Sequence, residues 1–511
     1  MYSSIMSAAI SGLTVTDVRV ETDMGDGLPL FTMVGCLSSQ IREAEARVRS
    51  AFRNLRFSMP AKRITVNLSP ADLPKSSSRF DLPIALTILA ASGLIPEESL
   101  HGVMAVGELS LSGELLRIKG VLPIAMKAKE TDIRLLIVPQ SNEAEARAVD
   151  DIAVIGLGSL TDAVDFFRNG CLPDTPAAPA RKQKLNIYTE DFSDIRGQSS
   201  AKRAALISAA GFHNLILIGA PGSGKTMIAR RMPTILPSLT REESLEISRI
   251  YSIAGLTDDS MPLIGTRPFR HPHHTISPQA LAGGGKIPSP GEVSLAHRGI
   301  LFLDEMPEFQ QKTIEILRQP LEDREIIISR SAGSFCFPAN FLLLAAMNPG
   351  PCGCYPDMNR CTCTPRAVTE YRNRISGPLL DRIDLSVQCP PVTYEDLSGE
   401  RARASSVSSA QLRAQVETVR EIQRDRFKGT SLHFNSEIPS SEISRYCAMS
   451  PAAETALEHA FRSGSLSARS YYRIIRVART IADLDNSPGL LPRHVDEALT
   501  YRPLDSGFWR L

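Results

Sequence analysis

Three uninterrupted apolar runs mark the middle of the chain: Leu215-Ile-Leu-Ile218, Ile300-Leu-Phe-Leu303 and Phe341-Leu-Leu-Leu-Ala-Ala346. Short apolar runs bounded by glycine or polar residues predict strands buried on both faces, the pattern of a parallel sheet between helices. Before them, residues 1 to about 168 alternate β-branched runs (Arg63–Leu68, Leu135–Val138) with helical stretches (Gln40–Leu55, Leu82–Ser92), so this part also reads as α/β. From Ser408 onward the apolar spacing is helical, and Pro439–Pro503 reads as a small all-α domain. The Pro- and Ala-rich stretch Cys171–Lys184 reads as a linker. The expected division is 1–170, a linker at 171–190, a core at 191–395 and a helical remainder at 396–511.

The length of 511 residues supports this division, being too great for one hydrophobic core. The 57 basic and 56 acidic residues leave a net charge of +1, so any nucleic-acid surface must be a local patch. No apolar run reaches the ~20 residues of a membrane helix, and MYSSIMSAAISGLTV lacks the basic start of a signal peptide. A cytoplasmic location is the expectation. Nine cysteines make no disulfide scaffold, and in a reducing compartment they are free thiols or metal ligands.

Each apolar run ends in chemistry. After Ile218 comes Gly219-Ala220-Pro221-Gly222-Ser223-Gly224-Lys225-Thr226, then a helical MIARRM. Strand, glycine-rich loop and helix in this order cradle a polyphosphate. Backbone N–H groups wrap the β-phosphate, Lys225 neutralises β/γ charge, and Thr226 offers its hydroxyl to magnesium. The bound ligand is expected to be ATP. The second run ends in Asp304-Glu305. Asp304 is placed to hold the magnesium shell, and Glu305 to orient or deprotonate the attacking water. The third ends in Met347-Asn348-Pro349, where Asn348 is placed to bond the γ-phosphate or the water.

These motifs, with DIRGQ (194–198), RPFRHPHHTIS (267–277), PGEVSLAHRGILFLDEMPEF (290–309), AAMNPGPCGC (345–354) and SGPLLDRIDL (376–385), resemble the magnesium-chelatase-like ComM/YifB family of AAA+ ATPases over nearly the whole chain. The resemblance implies a Lon-protease-like N-terminal α/β domain, an AAA+ P-loop core with a parallel sheet, and a C-terminal all-α lid. It makes Asn348 similar to sensor 1. Arg382 matches the arginine finger that reaches the phosphate of an adjacent subunit, and Arg469 matches the sensor 2 arginine. It further implies homo-hexamers that act as DNA helicases in branch migration during natural transformation. Arg324–Phe337 fits the family's hairpin before sensor 1, with Arg330 near its tip either touching DNA in the pore or simply exposed. From the residues alone, Arg382 is equally a partner for Asp381 or Asp384, and Arg469 a solvated helix residue.

A proteolytic Lon domain needs a serine and a lysine. Aligned on Pro74-Lys75, those positions fall on Arg79 and Leu122, which supply neither nucleophile nor base. Only a shifted alignment onto Ser76, Ser77 or Ser78 with Lys119 restores a dyad. The expected role is therefore a structural or binding collar. Arg42–Arg63, with six arginines and one lysine against two glutamates, is either a DNA-facing surface or a solvated helix. Cys352, Cys354, Cys361 and Cys363 lie directly after the sensor. Two close pairs of thiols predict a structural zinc site, with free thiols or a labile disulfide as the alternatives. His271, His273 and His274 are read as part of the core, without a metal. The leading expectation is a DNA-dependent ring motor. The alternatives are a chelatase-like or protein-remodelling motor without DNA, an ATP-dependent peptidase, and a nucleotide-gated binding module.

Overall fold

The computed structural model describes residues 1–511 except 36–40, 42, 72–74, 76, 171–188, 259–261, 286–287, 331–332, 358, 393–406, 463–465 and 503–511. The expected linker 171–184, the 395/396 boundary, Pro74, Ser76, Arg42 and Pro503 therefore lie outside the described residues.

The N-terminal region is built on a seven-stranded mixed sheet. Its strands run, edge to edge, Leu30–Val34, Arg63–Ser69, Thr14–Gly25, Tyr2–Ser11, Val103–Ala105, Leu135–Pro139 and Ala153–Leu157. Tyr2–Ser11 and Thr14–Gly25 pair antiparallel as a hairpin, whereas the last four strands are mutually parallel. The helix Asp81–Ala91 is buried along its whole length against this sheet. That is why its sequence is apolar all round rather than on one stripe. The helix expected from Gln40 is seen as Ala44–Asn54.

The core is a five-stranded, all-parallel sheet in the order Phe269–Arg270, Ile300–Leu303, Leu342–Met347, Leu215–Gly219, Leu385–Cys389. The three apolar runs are its three central strands, with every residue buried. Their side chains alternate between two hydrophobic clusters. Leu215, Leu217, Phe302 and Leu344 face one side, and Ile216, Ile218, Leu301 and Leu343 the other. The first side is covered by the helices Ser199–Gly211 and Lys225–Ile235 and by helices of the C-terminal part, including Ser409–Arg426 and Ala468–Leu484, in one continuous cluster. Among the described residues after 406, all regular elements are helical. The expected hairpin is present as Glu325–Arg330 paired antiparallel with Gly333–Pro338.

A buried ionic knot fastens the C-terminal helices to the core. Glu243 accepts from Arg267 at 2.8 Å and from Arg420 at 3.5 Å, and all three side chains are almost fully buried. Arg420 also lies over the ring of Phe434.

Candidate functional site

Parallel strands bring their carboxyl ends to one edge, so the residues following Ile218, Leu303 and Met347 meet there. Two glycines let the first loop take its path. A Cβ on Gly219 would stand 2.4 Å from the Cys389 carbonyl oxygen. Gly224 has φ 91, a left-handed conformation, and leads directly into the helix that Lys225 opens. Lys225 Nζ donates to the carbonyls of Gly219 (2.7 Å) and Ala220 (2.9 Å) and to Asn348 Oδ1 (3.3 Å). Burial lowers its pKa, opposed by Cys389, Asp304 and Glu305. The lysine thus bonds three neutral acceptors, two carbonyl oxygens and one amide oxygen.

Thr226 Oγ1 donates to Asp304 Oδ2 at 2.9 Å. A hydroxyl and a carboxylate oxygen held together form a hard-oxygen pair suited to magnesium. Glu305 follows at φ 51, an uncommon backbone state for a residue with a side chain, and its N–H donates to Asp304 Oδ1 at 3.0 Å. Such a conformation costs of order 1 kcal/mol and recurs at functional sites. The adjacent residues Lys225 and Thr226 thereby bond Asn348 and Asp304 respectively, with Glu305 adjoining.

Arg382 and Arg469 lie at the opposite edge of the sheet. Both line a cavity of about 430 Å³ together with Asn214, Phe341 and Asp384, which stand at the beginnings of strands rather than their ends. One strand length, ~16 Å for five residues, separates that edge from the glycine-rich loop. Arg382 pairs not with Asp381 or Asp384 but with Glu322, whose second oxygen accepts from Arg469 at 3.1 Å. Arg382 Nε, buried, has no hydrogen-bond partner among the described residues.

Three of the four clustered cysteines come together: the sulfurs of Cys352, Cys361 and Cys363 lie within 4.8 Å of one another. Cys354 stands outside this group and contributes its backbone N–H to Cys352 Sγ at 3.4 Å. That N–H, with the Cys363 and Cys361 thiols, brings the Cys352 thiol down to about 6. A thiol that ionises this readily is a ready metal ligand. The cysteine loop also touches the glycine-rich loop, since a Cβ on Gly353 would stand 2.4 Å from Pro221 Cδ.

Several neighbours were not assigned from the sequence. Gln198 Nε2 donates to the Ser223 carbonyl (3.0 Å) and to Pro390 (2.6 Å), fixing the loop from behind. The DIRGQ string was the available signal. His271 lies against Phe302 and near Asp304. Arg372 packs over Tyr355 and donates to the Pro349 carbonyl, bracing the chain between Asn348 and the cysteines. His273 and His274 stack on each other, and among the described residues they join no metal-binding group. In the N-terminal region Arg79 and Leu122 are buried. Ser78 bonds Glu108, Ser77 bonds Arg79, and no described hydrogen bond links Lys119 to either serine. Arg47, from the basic stretch, is turned inward onto Asp81 at 2.6 Å.

Residues 191–397 match the family described as Magnesium chelatase, subunit ChlI, residues 20–142 match Subunit ChlI of Mg-chelatase, and residues 406–502 match its C-terminal part. The chain is 43% identical over 505 residues to "Competence protein ComM" of Haemophilus influenzae, covering 98% of this chain and 97% of that protein. It is 41% identical over 503 residues to "Uncharacterized protein YifB" of Escherichia coli, covering 98% and 97%. The "Magnesium-chelatase 38 kDa subunit" of Rhodobacter capsulatus is 24% identical over 340 residues, 61% of this chain and 89% of that protein.

Proposed function

Since the chain belongs to the magnesium-chelatase-like ComM/YifB family of AAA+ proteins, we propose that it is an ATP-hydrolysing ring motor that acts on DNA. The observation that supports hydrolysis is the meeting of Lys225, Thr226, Asp304 and Asn348 at the carboxyl ends of adjacent parallel strands. In this reading Lys225 exchanges its Asn348 and carbonyl acceptors for phosphate oxygens, which gain more from a cation than neutral acceptors do. Thr226 and Asp304 would hold magnesium, which would supply charge neutralisation on the phosphates. Glu305 orients or deprotonates the attacking water, and Asn348 bonds the γ-phosphate or that water.

Arg382 and Arg469 stand one strand length from the loop of their own chain, so each serves the nucleotide of a neighbouring subunit. A ring, taken as a homo-hexamer, satisfies this for every site. Both arginines now bond the Glu322 carboxylate, an oxyanion acceptor of the same kind as a phosphate. Zinc would be held by Cys352, Cys361 and Cys363 and would brace the loop that abuts Pro221. The DNA substrate, and branch migration in natural transformation, rest on likeness to the competence protein over almost all of both chains.

The test is the ATPase rate with and without single-stranded, duplex and four-way-junction DNA. Stimulation by branched or single-stranded DNA is expected. No stimulation together with no binding at low salt would remove DNA as substrate. The result would then favour a second reading, a chelatase-like or remodelling motor with a protein partner, which the match to the chelatase subunit supports.

A further inference from the structure

A separate cavity of about 430 Å³ opens where the N-terminal region meets the core. Ser77, Ser78, Arg79, Glu108 and Lys119 line it from the N-terminal side, and Ile253 and Pro288 close it from the core. Arg79 is 8% exposed, yet it forms no ion pair among the described residues. Its Nε donates to Ser77 Oγ at 3.1 Å, and its buried Nη1 has no hydrogen-bond partner among the described residues. Burial pulls its pKa down to about 10, with no carboxylate to oppose it. Glu108, the acid in the same cavity, is held by the Ser78 hydroxyl.

An unpaired buried guanidinium costs several kcal/mol and is tolerated where an anion completes it. The surroundings specify the anion. The Ser77 oxygen accepts from Arg79, so its own proton remains to be donated. Lys119 brings an ammonium to the exposed mouth and makes no hydrogen bond or ion pair among the described residues, its stem lying against Gly255. Arg117, also lining the cavity, is anchored on the Thr257 carbonyl at 2.9 Å. Arg117 also lies 4.0 Å from Glu145, so the ammonium left for a ligand at the mouth is that of Lys119. A guanidinium at the base, a hydroxyl beside it and this ammonium at the mouth match a tetrahedral phosphate, which offers several acceptor oxygens, better than a single carboxylate. The volume is that of a small-ligand site.

We infer that this cavity binds a small phosphate-bearing anion, with Arg79 as its buried anchor and Lys119 at its mouth. Because both regions of the chain form the walls, the anion ties the N-terminal region to the core. The site is independent of ATP hydrolysis at the glycine-rich loop.

The test is calorimetric titration of the full-length chain with inorganic phosphate and with glycerol 3-phosphate. Wild type, Arg79→Met, Lys119→Ala and Lys225→Ala are compared, with melting temperatures measured alongside. Saturable binding is expected in wild type and in Lys225→Ala. Affinity is expected to be at least tenfold weaker in Arg79→Met and in Lys119→Ala, whose exposed position spares the fold. Without ligand, Arg79→Met is expected to melt no lower than wild type, because a merely structural arginine would be missed there. The relative affinities of the two ligands tell free phosphate from an ester. No saturable binding of either at millimolar concentration, or loss in Lys225→Ala with retention in Arg79→Met, would overturn the assignment.

Discussion

Replacing Gly353 by alanine tests whether the cysteine loop positions the glycine-rich loop. Gly353 has φ 74, so alanine there carries about 1 kcal/mol of left-handed strain wherever its methyl points. The methyl itself would stand 2.4 Å from Pro221 Cδ and 2.7 Å from Cγ, where ordinary contact begins near 3.4 Å. The two loops must therefore part by roughly 1 Å. Misplacement on that scale at a reacting site costs up to about 100-fold in rate. Shared between the loops, it should weaken ATP binding about tenfold and lower kcat by a similar factor. Global stability should fall by only about 1–2 kcal/mol, because neither loop belongs to the hydrophobic clusters on the two faces of the sheet. Nucleotide affinity is read from a fluorescent analogue, turnover from phosphate release, and stability from urea unfolding. The second variant decides the cause. Pro221→Ala removes the clashing atoms, so Gly353→Ala/Pro221→Ala should bind nucleotide better than Gly353→Ala alone, a coupling that double-mutant analysis isolates. Unchanged affinity in Gly353→Ala, or a double variant no better than the single, would refute the contact as a functional brace.

Three further outcomes are expected. Arg420→Ala leaves the buried Glu243 with one of its two cations and opens space over Phe434, so urea unfolding should show a loss of about 3 kcal/mol; a loss under about 1 would mean the ionic knot contributes little. At Glu246 burial opposes ionisation, but the His297 hydrogen bond and the Arg298 charge outweigh it and bring the carboxyl from 4.5 to about 2. Its contribution is thus complete above 4.5 and lost as pH falls toward 2, so unfolding free energy should decline over that window, less steeply in Glu246→Gln; equal slopes would contradict the assignment. Purified protein should carry about one zinc per chain by elemental analysis, reduced in Cys361→Ser, whereas zinc-free protein with all thiols reactive would exclude the metal.

The three central strands and the residues gathered at their carboxyl ends were legible because they are local: an apolar run and the residue after it are adjacent in sequence. The alternation of Leu215, Ile216, Leu217 and Ile218 between two clusters follows from the same pattern. What the sequence could not supply is convergence across distance. Glu243 and Arg420 are 177 positions apart, and Arg469 and Glu322 are 147 apart. Nothing local marks Glu322 as the shared partner of two arginines. Gln198 was visible as part of a motif, but its purchase on Ser223 depends on a left-handed turn at φ 56. The cysteine spacing foretold a cluster yet not that Cys354 would offer its N–H in place of its sulfur. The basic stretch from Arg42 to Arg63 overstated its surface charge, because Arg47 is committed to Asp81.

The most direct measurement is magnesium-dependent ATP binding and turnover by wild type, Lys225→Ala and Glu305→Gln, side by side. Wild type should bind and hydrolyse, Lys225→Ala should bind at least tenfold more weakly, and Glu305→Gln should bind normally while turnover falls by a factor of about 100 or more. Glu305→Gln hydrolysing at the wild-type rate, or wild type neither retaining nor cleaving ATP, would contradict the account.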